Sequence, residues 1–370
     1  MRLLIKLTPM EPYFFGDDRS FQYGELSIQR AAGYISHSRV TPAQTTLFGV
    51  LRYLGIKSPN SDFKLEDNDI ANIGNRSFNL LEPSDERFGR IISVSPLYLY
   101  DSNNRFYIRT PFDHDKTNKN TYEPWEEYSE TMVSTDCGKR KFPVKYNEKI
   151  GLEDSWTCLD DLSLHANLFK RIMQVGHDKN GAAEAFYKKE RVMMCRGMSF
   201  AFIAEVMDDF EYRQKTDERG VLYPEKRVVY LGQDKSAFLA EIITDFTEPP
   251  FGLLKAKTNP DIAYALSDIF IQPNKSEKTD GIKAFYSTCN FVCAQSTDFR
   301  VFLTDYTSKL PHGGRFKKGS ELIRLITAGS VFIVNEKGRF MQMCCNKHAE
   351  KAGFNHFWRG FDNEYPSVQD

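Results

Sequence analysis

The stretch "MQVGHDKNGAAEAFYKKERVMMCRGMSF", residues 173–200, decides how the chain is read. Its first residues close an amphipathic pattern, "LDDLSLHANLFKRIMQV" (159–175), which predicts a helix capped by Asp160 or Asp161. A polar, glycine-containing turn follows, and then Phe186, Tyr187, Lys188, Lys189 and Arg191 stand at the entry to an apolar, extended segment. "MSFAFIAEV" (198–206) continues as a buried strand. With 186–194 extended, Tyr187, Lys189 and Arg191 share one face, and Phe186, Lys188, Glu190 and Val192 share the other. An aromatic followed by two cations at that spacing suits stacking a base while holding its phosphates. The same spacing suits a hairpin edge that Lys and Arg protect against aggregation.

Outward from this stretch, "RLLIKL" (2–7) reads as a strand stopped by the Pro-bracketed "TPMEPYFFGDD" (8–18). "TPAQTTLFGVLRYLGIKSP" (41–59) predicts a helix: Thr41 for the cap, Pro42 for the first turn, Gly55 and Pro59 for the end. Leu47, Val50, Leu51 and Leu54 form its buried stripe, with Thr45, Gly49 and Arg52 on another face. Gly49 inside a helix costs roughly 1 kcal/mol against Ala, which close approach of another backbone or a ligand would justify. "RIISVSPLYLY" (90–100) and "RFYIRT" (105–110) predict paired strands, and residues 111–150 a long surface excursion. "DDFEYRQKTDERG" (208–220) reads as a linker or hairpin tip, and "RVVYLGQDKSAFLAEII" (227–243) as strand, Gly-centred turn, strand. "NPDIAYALSDIF" (259–270) suggests a helix, while "KAFYSTCNFVCAQS" (283–296) and "ELIRLITAGSVFIVNEK" (321–337) suggest strands. The sequence of elements lacks a regular βαβα alternation, so it points to an α+β fold with antiparallel sheets.

Composition bounds the function. The 370 residues are 41% hydrophobic, enough for two domains. The 49 Lys and Arg nearly balance 50 Asp and Glu, for a net charge of −1, so any polyanion would be held by a local patch or by backbone N–H groups. Seven cysteines without framework spacing suggest reduced thiols, and no segment has the ~18 apolar residues of a membrane span; a cytoplasmic protein is expected. Cys289 and Cys293 are too far apart on a strand to share one ion, and "CCNKHAEKAGFNH" (344–356) fits no zinc spacing, so no metal or other cofactor is expected. Asp17-Asp18 and Asp208-Asp209 read as turn caps. "HGGRFKKG" (312–319) differs: Gly313 and Gly314 can turn N–H groups into an anion-binding nest beside Arg315, Lys317 and Lys318, and the alternative is a basic loop without a partner.

Four segments, in this order, resemble the RAMP superfamily of CRISPR proteins, and within it the guide-RNA 5′-handle-binding subunits of type III-B (Cmr) effector complexes. "EPYFFGDDRSF" (11–21) resembles that family's Pro-aromatic-aromatic-Asp-x-Arg segment, and "TPAQTTLFGVLR" its helix motif, with Pro42, Leu47, Gly49, Leu51 and Arg52 at matching places. "VGHDKNGAAEAFYKKERV" (175–192) resembles the run leading into a strand, and "AGSVFIV" (328–334) with "GFNHFWRG" (353–360) the C-terminal motifs. Gly16 departs from the pattern where relatives often carry a basic residue, and "YLGQDKSAF" (230–238) carries one glycine where they often show two.

The resemblance implies two ferredoxin-like (RRM-like) domains with long inserted loops, 1–197, carrying an insertion around 111–150, and 198–370. It implies a non-catalytic subunit that grips the guide RNA (crRNA) 5′ handle and meets target RNA only indirectly. Its protein partners would be the large polymerase-like subunit and the backbone RAMP subunits. Arg52, Tyr187, Lys189, Arg191, Gly313, Gly314, Arg315 and Lys317 are the expected RNA contacts. The competing readings are a metal-independent RAMP endoribonuclease using His312 or His356, the equivalent type III-A subunit, and a scaffold that binds only proteins.

Overall fold

The structure, a computed structural model, describes residues 1–20, 35–56, 65–75, 78–125, 128–135, 138–143, 154–177, 186–216, 218, 220–232, 234–257, 259–272, 281–300, 302–304, 316–318 and 322–361. Among these residues the fold is α+β, and its sheets are mostly antiparallel. At its centre lies the strand Arg2–Pro9, whose pattern Leu3-Leu4-Ile5 is buried without interruption. A strand reads this way when both faces of its sheet are covered. Arg2–Pro9 pairs antiparallel with Met198–Val206 on one side and with Ser236–Ile243 on the other. Tyr98–Asp101, Phe106–Arg109, Trp156–Cys158 and Leu164–His165 extend the sheet past Met198–Val206, and Ile91–Val94 joins that strand off the main path. Arg227–Leu231 closes the far edge, giving nine strands.

Leu3, Ile5 and Leu7 face one core and Leu4 the other, as strand alternation requires. Over the first face packs the helix Gln44–Leu54 through Leu47, Phe48, Val50, Leu51 and Leu54. Over the second packs a four-stranded sheet in the order Cys289–Cys293, Val331–Val334, Ile262–Ala265 and Phe357–Arg359. Ile262 and Tyr264 point into this middle layer, while Ala263 and Ala265 point away, toward Phe285 and Phe340 of the helices Gly281–Tyr286 and Lys337–Cys344. The order of layers is helix, sheet, sheet, helices. Cys289 and Cys293, four apart, would share a face in a regular strand; they fall into different cores because the register slips between Cys289 and Phe291. Asn355, in the C-terminal motif, bonds Phe270 N, Phe270 O and Cys344 O, so its work is to close the fold.

Several local expectations give way. Residues 159–175 are not a helix: Leu162 turns with φ 58, and Phe169–His177 is a strand in a nine-pair antiparallel ladder with Phe186–Met194. A nine-pair ladder with the next strand outweighs local helical periodicity. Ile262–Ala265 is likewise a strand, buried between two others, and residues 281–286 are helical before Cys289–Cys293 begins. The helix expected from Thr41 starts at Gln44, with Ala43 at the cap and no side-chain cap bond. Asp208 and Asp209 hold the N-terminal amine and Arg90 instead of capping backbone. The 197/198 division falls at the entry to Met198–Val206, so the nine-stranded sheet draws strands from both sides of it.

The 111–150 excursion is also partly internal, since Phe112, Asp113, His114, Tyr122 and Trp125 are buried. Asp113 sits between the two sheets in a closed triangle: Tyr122 Oη is 2.9 Å from Asp113 Oδ1 and 2.8 Å from Tyr264 Oη, and Tyr264 Oη is 3.1 Å from Asp113 Oδ2. The two phenolic hydrogens fill two of these contacts, and a carboxyl hydrogen on Asp113 fills the third. Burial pushes the Asp113 carboxyl up to about 7, against the pull of its two tyrosine hydrogen bonds. The folded state therefore keeps a proton that the unfolded chain gives up near the ordinary value of 3.8, and stability falls as pH rises from there to about 7. Replacing Asp113 by Asn should flatten that slope in urea melts between pH 4 and pH 7; an unchanged slope would mean that Asp113 is ionised in the fold.

Candidate nucleic-acid interface

The motif-bearing segments come together where the chain leaves the central strand. Met10 N donates to Ala237 O (3.0 Å), and Ala237 N donates to the Glu11 carboxylate. Tyr13 and Val192 exchange two backbone hydrogen bonds of 2.8 and 2.9 Å. Phe14 N donates to Ser236 Oγ (3.1 Å) and Phe15 N to Ser38 Oγ (2.9 Å). Tyr13 and Phe15 pack their rings against Phe200 and Phe238 of the main sheet. Three stretches far apart in sequence, 10–15, 186–194 and 232–238, thus share one junction.

Its charges are arranged around Asp234. Lys189 makes an ion pair with Asp234 Oδ2, and Arg191 Nη2 lies 3.5 Å from the same oxygen. Arg191 Nη1 also donates to Pro12 O (3.0 Å), and Lys189 Nζ stands 4.2 Å from the Phe14 ring centroid. The two cations therefore share a face, as strand alternation requires, but their side chains are only 17% and 25% exposed. Two cations share the Asp234 carboxylate, and the Glu11 carboxylate lies in the same junction against Ala237 N. The opposite face of the same strand carries Glu190, which pairs with Arg171 and lies 3.5 Å from His37 Nδ1. Gly232 makes the turn possible: its φ is +74°, and a Cβ there would collide with Phe14 O.

The other expected contacts divide. Tyr187 lies opposite Gly176 in the ladder, with its side chain outside the described residues. Arg52 is 4% exposed, donates from Nη2 to Gly74 O (2.9 Å) and lies over the Phe48 ring. A helix cation with a buried carbonyl to satisfy turns inward and joins the packing. Gly49 is exposed, and a Cβ there would meet no atom within 4 Å, so the chain itself makes no close approach to it. Gly313, Gly314 and Arg315 lie outside the described residues; Lys317 pairs with Leu303 in a short ladder, with its side chain outside them. Asp234 is the functional neighbour that sequence reasoning missed: "GQDK" reads as turn chemistry, and nothing local announces a carboxylate aimed at a strand dozens of residues upstream.

Neither described histidine near the C-terminal motif offers a free proton-transfer group. His356 Nε2 is 3.1 Å from Glu350 O, and His348 Nε2 is 3.0 Å from Asn79 O. Burial pushes both imidazoles below their ordinary value. His312 lies outside the described residues. Among the described residues, no group of three or more His, Cys, Asp or Glu is placed to hold a metal ion, and no helix is long and apolar enough to cross a membrane.

No family model matches this chain, and no curated protein matches it. Among solved structures it is similar to a chain of the cryo-EM structure of the Type III-B Cmr-beta bound to cognate target RNA and AMPPnP. That similarity is 12% identity at a TM-score of 0.48, covering 96% of each chain. It is also similar to a chain of the Type III-B Cmr-beta bound to cognate target RNA, at 14% identity and a TM-score of 0.47, covering 97% of this chain and 96% of that one.

Two substitutions separate packing from contact. Gly232→Ala should lower stability by about 1–3 kcal/mol in urea unfolding, because it strains the turn and displaces Phe14. Arg52→Ala should cost about 1–3 kcal/mol in the same measurement by orphaning the Gly74 carbonyl, and wild-type stability in that variant would free Arg52 for a contact outside the fold.

Proposed function

We propose that this chain is a non-catalytic subunit of a type III-B CRISPR ribonucleoprotein that grips the 5′ handle of the guide RNA and docks the large polymerase-like subunit and the first backbone subunit. The observation that carries the proposal is the junction at Asp234. "EPYFFGDD", "AFYKKERV" and "YLGQDKSAF" come from three separate parts of the chain and are tied there by Lys189, Arg191 and the Tyr13–Val192 bonds. In this reading each half of the chain follows a ferredoxin-like plan, and the junction lies on the RNA-facing side. Lys189 and Arg191 act there in part through Asp234, which fixes their direction. Arg191 offers its guanidinium edge to a phosphate, and the exposed Lys235 follows Asp234 in the same turn. With the carboxylates of Asp234 and Glu11 beside Lys189 and Arg191, a phosphate entering here meets little surplus positive charge, so affinity depends on the assembled groove more than on this chain alone. The backbone carbonyls that engage Nε2 of His348 and of His356 favour a holding role for these two side chains over a cutting one.

Copurification with its neighbouring subunits tests the reading. The complex should carry a discrete RNA population with a shared 5′ sequence. Arg191→Ala should lower guide occupancy several-fold and flatten its salt dependence by about 0.7 in log–log slope. Repeat RNA incubated with the chain in EDTA should remain intact. Complexes without RNA, occupancy indifferent to Arg191, or a discrete cleavage product would each count against it.

A further inference from the structure

A second cluster of cations lies at the other end of the edge strand. Arg227 opens Arg227–Leu231, five residues whose opposite end leads into the Asp234 turn, so the two places are about 13 Å apart along the strand. The Arg227 guanidinium carbon stands 4.7 Å from the ring centroid of Tyr53, a helix residue that is 38% exposed. Arg213 approaches from the neighbouring hairpin, where Glu225 N donates to Arg213 O and Gln214 pairs with Pro224. Lys215 is held 3.0 Å from the Glu225 carboxylate.

Three features are left unbalanced. Glu225 is one carboxylate facing three cations, Lys215, Arg213 and Arg227, and it is already bonded to Lys215. The neighbouring Lys226 is engaged elsewhere, with Glu241. Burial lowers the Arg227 pKa and the adjacent Arg213 lowers it further, against Tyr53 and Glu225. Arg227 Nη1 is buried without a hydrogen-bond acceptor, as is Arg213 Nε. Two guanidiniums near enough to repel one another, each with a buried N–H group unfilled, cost free energy that an arriving anion would return. The fork geometry of arginine suits a tetrahedral oxyanion, and an exposed tyrosine ring beside it suits a base.

We propose that Arg213, Arg227 and Tyr53 form a nucleotide-phosphate site, the two guanidiniums taking the phosphate oxygens and Tyr53 supplying a stacking face. The phosphate comes either from a single-stranded polynucleotide or from a free mononucleotide. This site stands apart from the Asp234 junction and does not depend on it.

The full-length chain is tested in two arms at fixed ionic strength. In one, AMP or inorganic phosphate replaces chloride during a thermal melt. In the other, a labelled 12-nucleotide single-stranded RNA is titrated by fluorescence anisotropy. Wild type should gain thermal stability in the first arm or bind RNA in the second. Arg213→Ala should remove that effect or weaken RNA binding about tenfold, and Arg227→Gln should do the same, while Arg227→Lys retains part of it. Arg213 sits on a two-stranded hairpin, so its variant keeps the test open if the Arg227 variants unfold. A thermal gain with AMP that exceeds the gain with inorganic phosphate, without RNA binding, supports the site with a mononucleotide as its ligand and leaves the guide-holding role, which belongs to the assembled complex, untouched. RNA binding indifferent to both arginines overturns the site and leaves that role standing. No response in either arm overturns the site as well.

Discussion

Everything else is built on the double burial of one strand. Arg2–Pro9 is covered by the helix Gln44–Leu54 on one face and by the second sheet on the other, and it is hydrogen-bonded on both edges to strands that lie some two hundred residues later. Its neighbours cannot be met until most of the chain exists, so its partners are chosen by burial rather than by proximity. Once Met198–Val206 and Ser236–Ile243 are fixed against it, the turn at 232–235 and the exit at 10–15 have nowhere to go except against each other. The candidate interface is a consequence of that pairing.

Electrostatics at the junction follow the same logic. Lys189 and Arg191 are not edge protection, because Phe186–Met194 is an inner strand, paired with Phe169–His177 on one side and with Ile35–Arg39 on the other. Instead both converge on Asp234, and Arg191 also caps the Pro12 carbonyl. A partly buried pair of this kind contributes direction more than stability, because desolvation offsets much of its attraction. What it leaves is a corner whose cations are tied to fixed partners. A chain of net charge −1 can hold a phosphodiester in such a corner only where neighbours complete the groove.

The parts of the fold that were legible in the sequence are those where one strand or helix decides its own burial. "RLLIKL", "MSFAFIAEV" and the stripe Leu47, Val50, Leu51, Leu54 announce themselves because continuous or 3.6-period apolar runs have few other uses. Residues 159–175 misled because Leu159 and Leu162 fill a turn in the middle layer, and the strand that follows alternates along a ladder whose partner lies beyond a polar turn. Arg52 misled because a cation on a helix reads as exposed unless the carbonyl of Gly74 is known to lie beneath it. Asp234, Arg213 and Arg227 were invisible for one reason: each owes its role to a charge or ring contributed from elsewhere in the chain.

The central claim is that the corner formed by 10–15, 186–194 and 232–238 faces RNA. Ultraviolet crosslinking of the assembled complex, followed by peptide mapping, measures this directly. Crosslinks from the first nucleotides of the guide to peptides containing Phe14, Tyr187 or Lys235 are the predicted result. A map in which those nucleotides mark only other subunits, with this corner unmodified, would contradict the account.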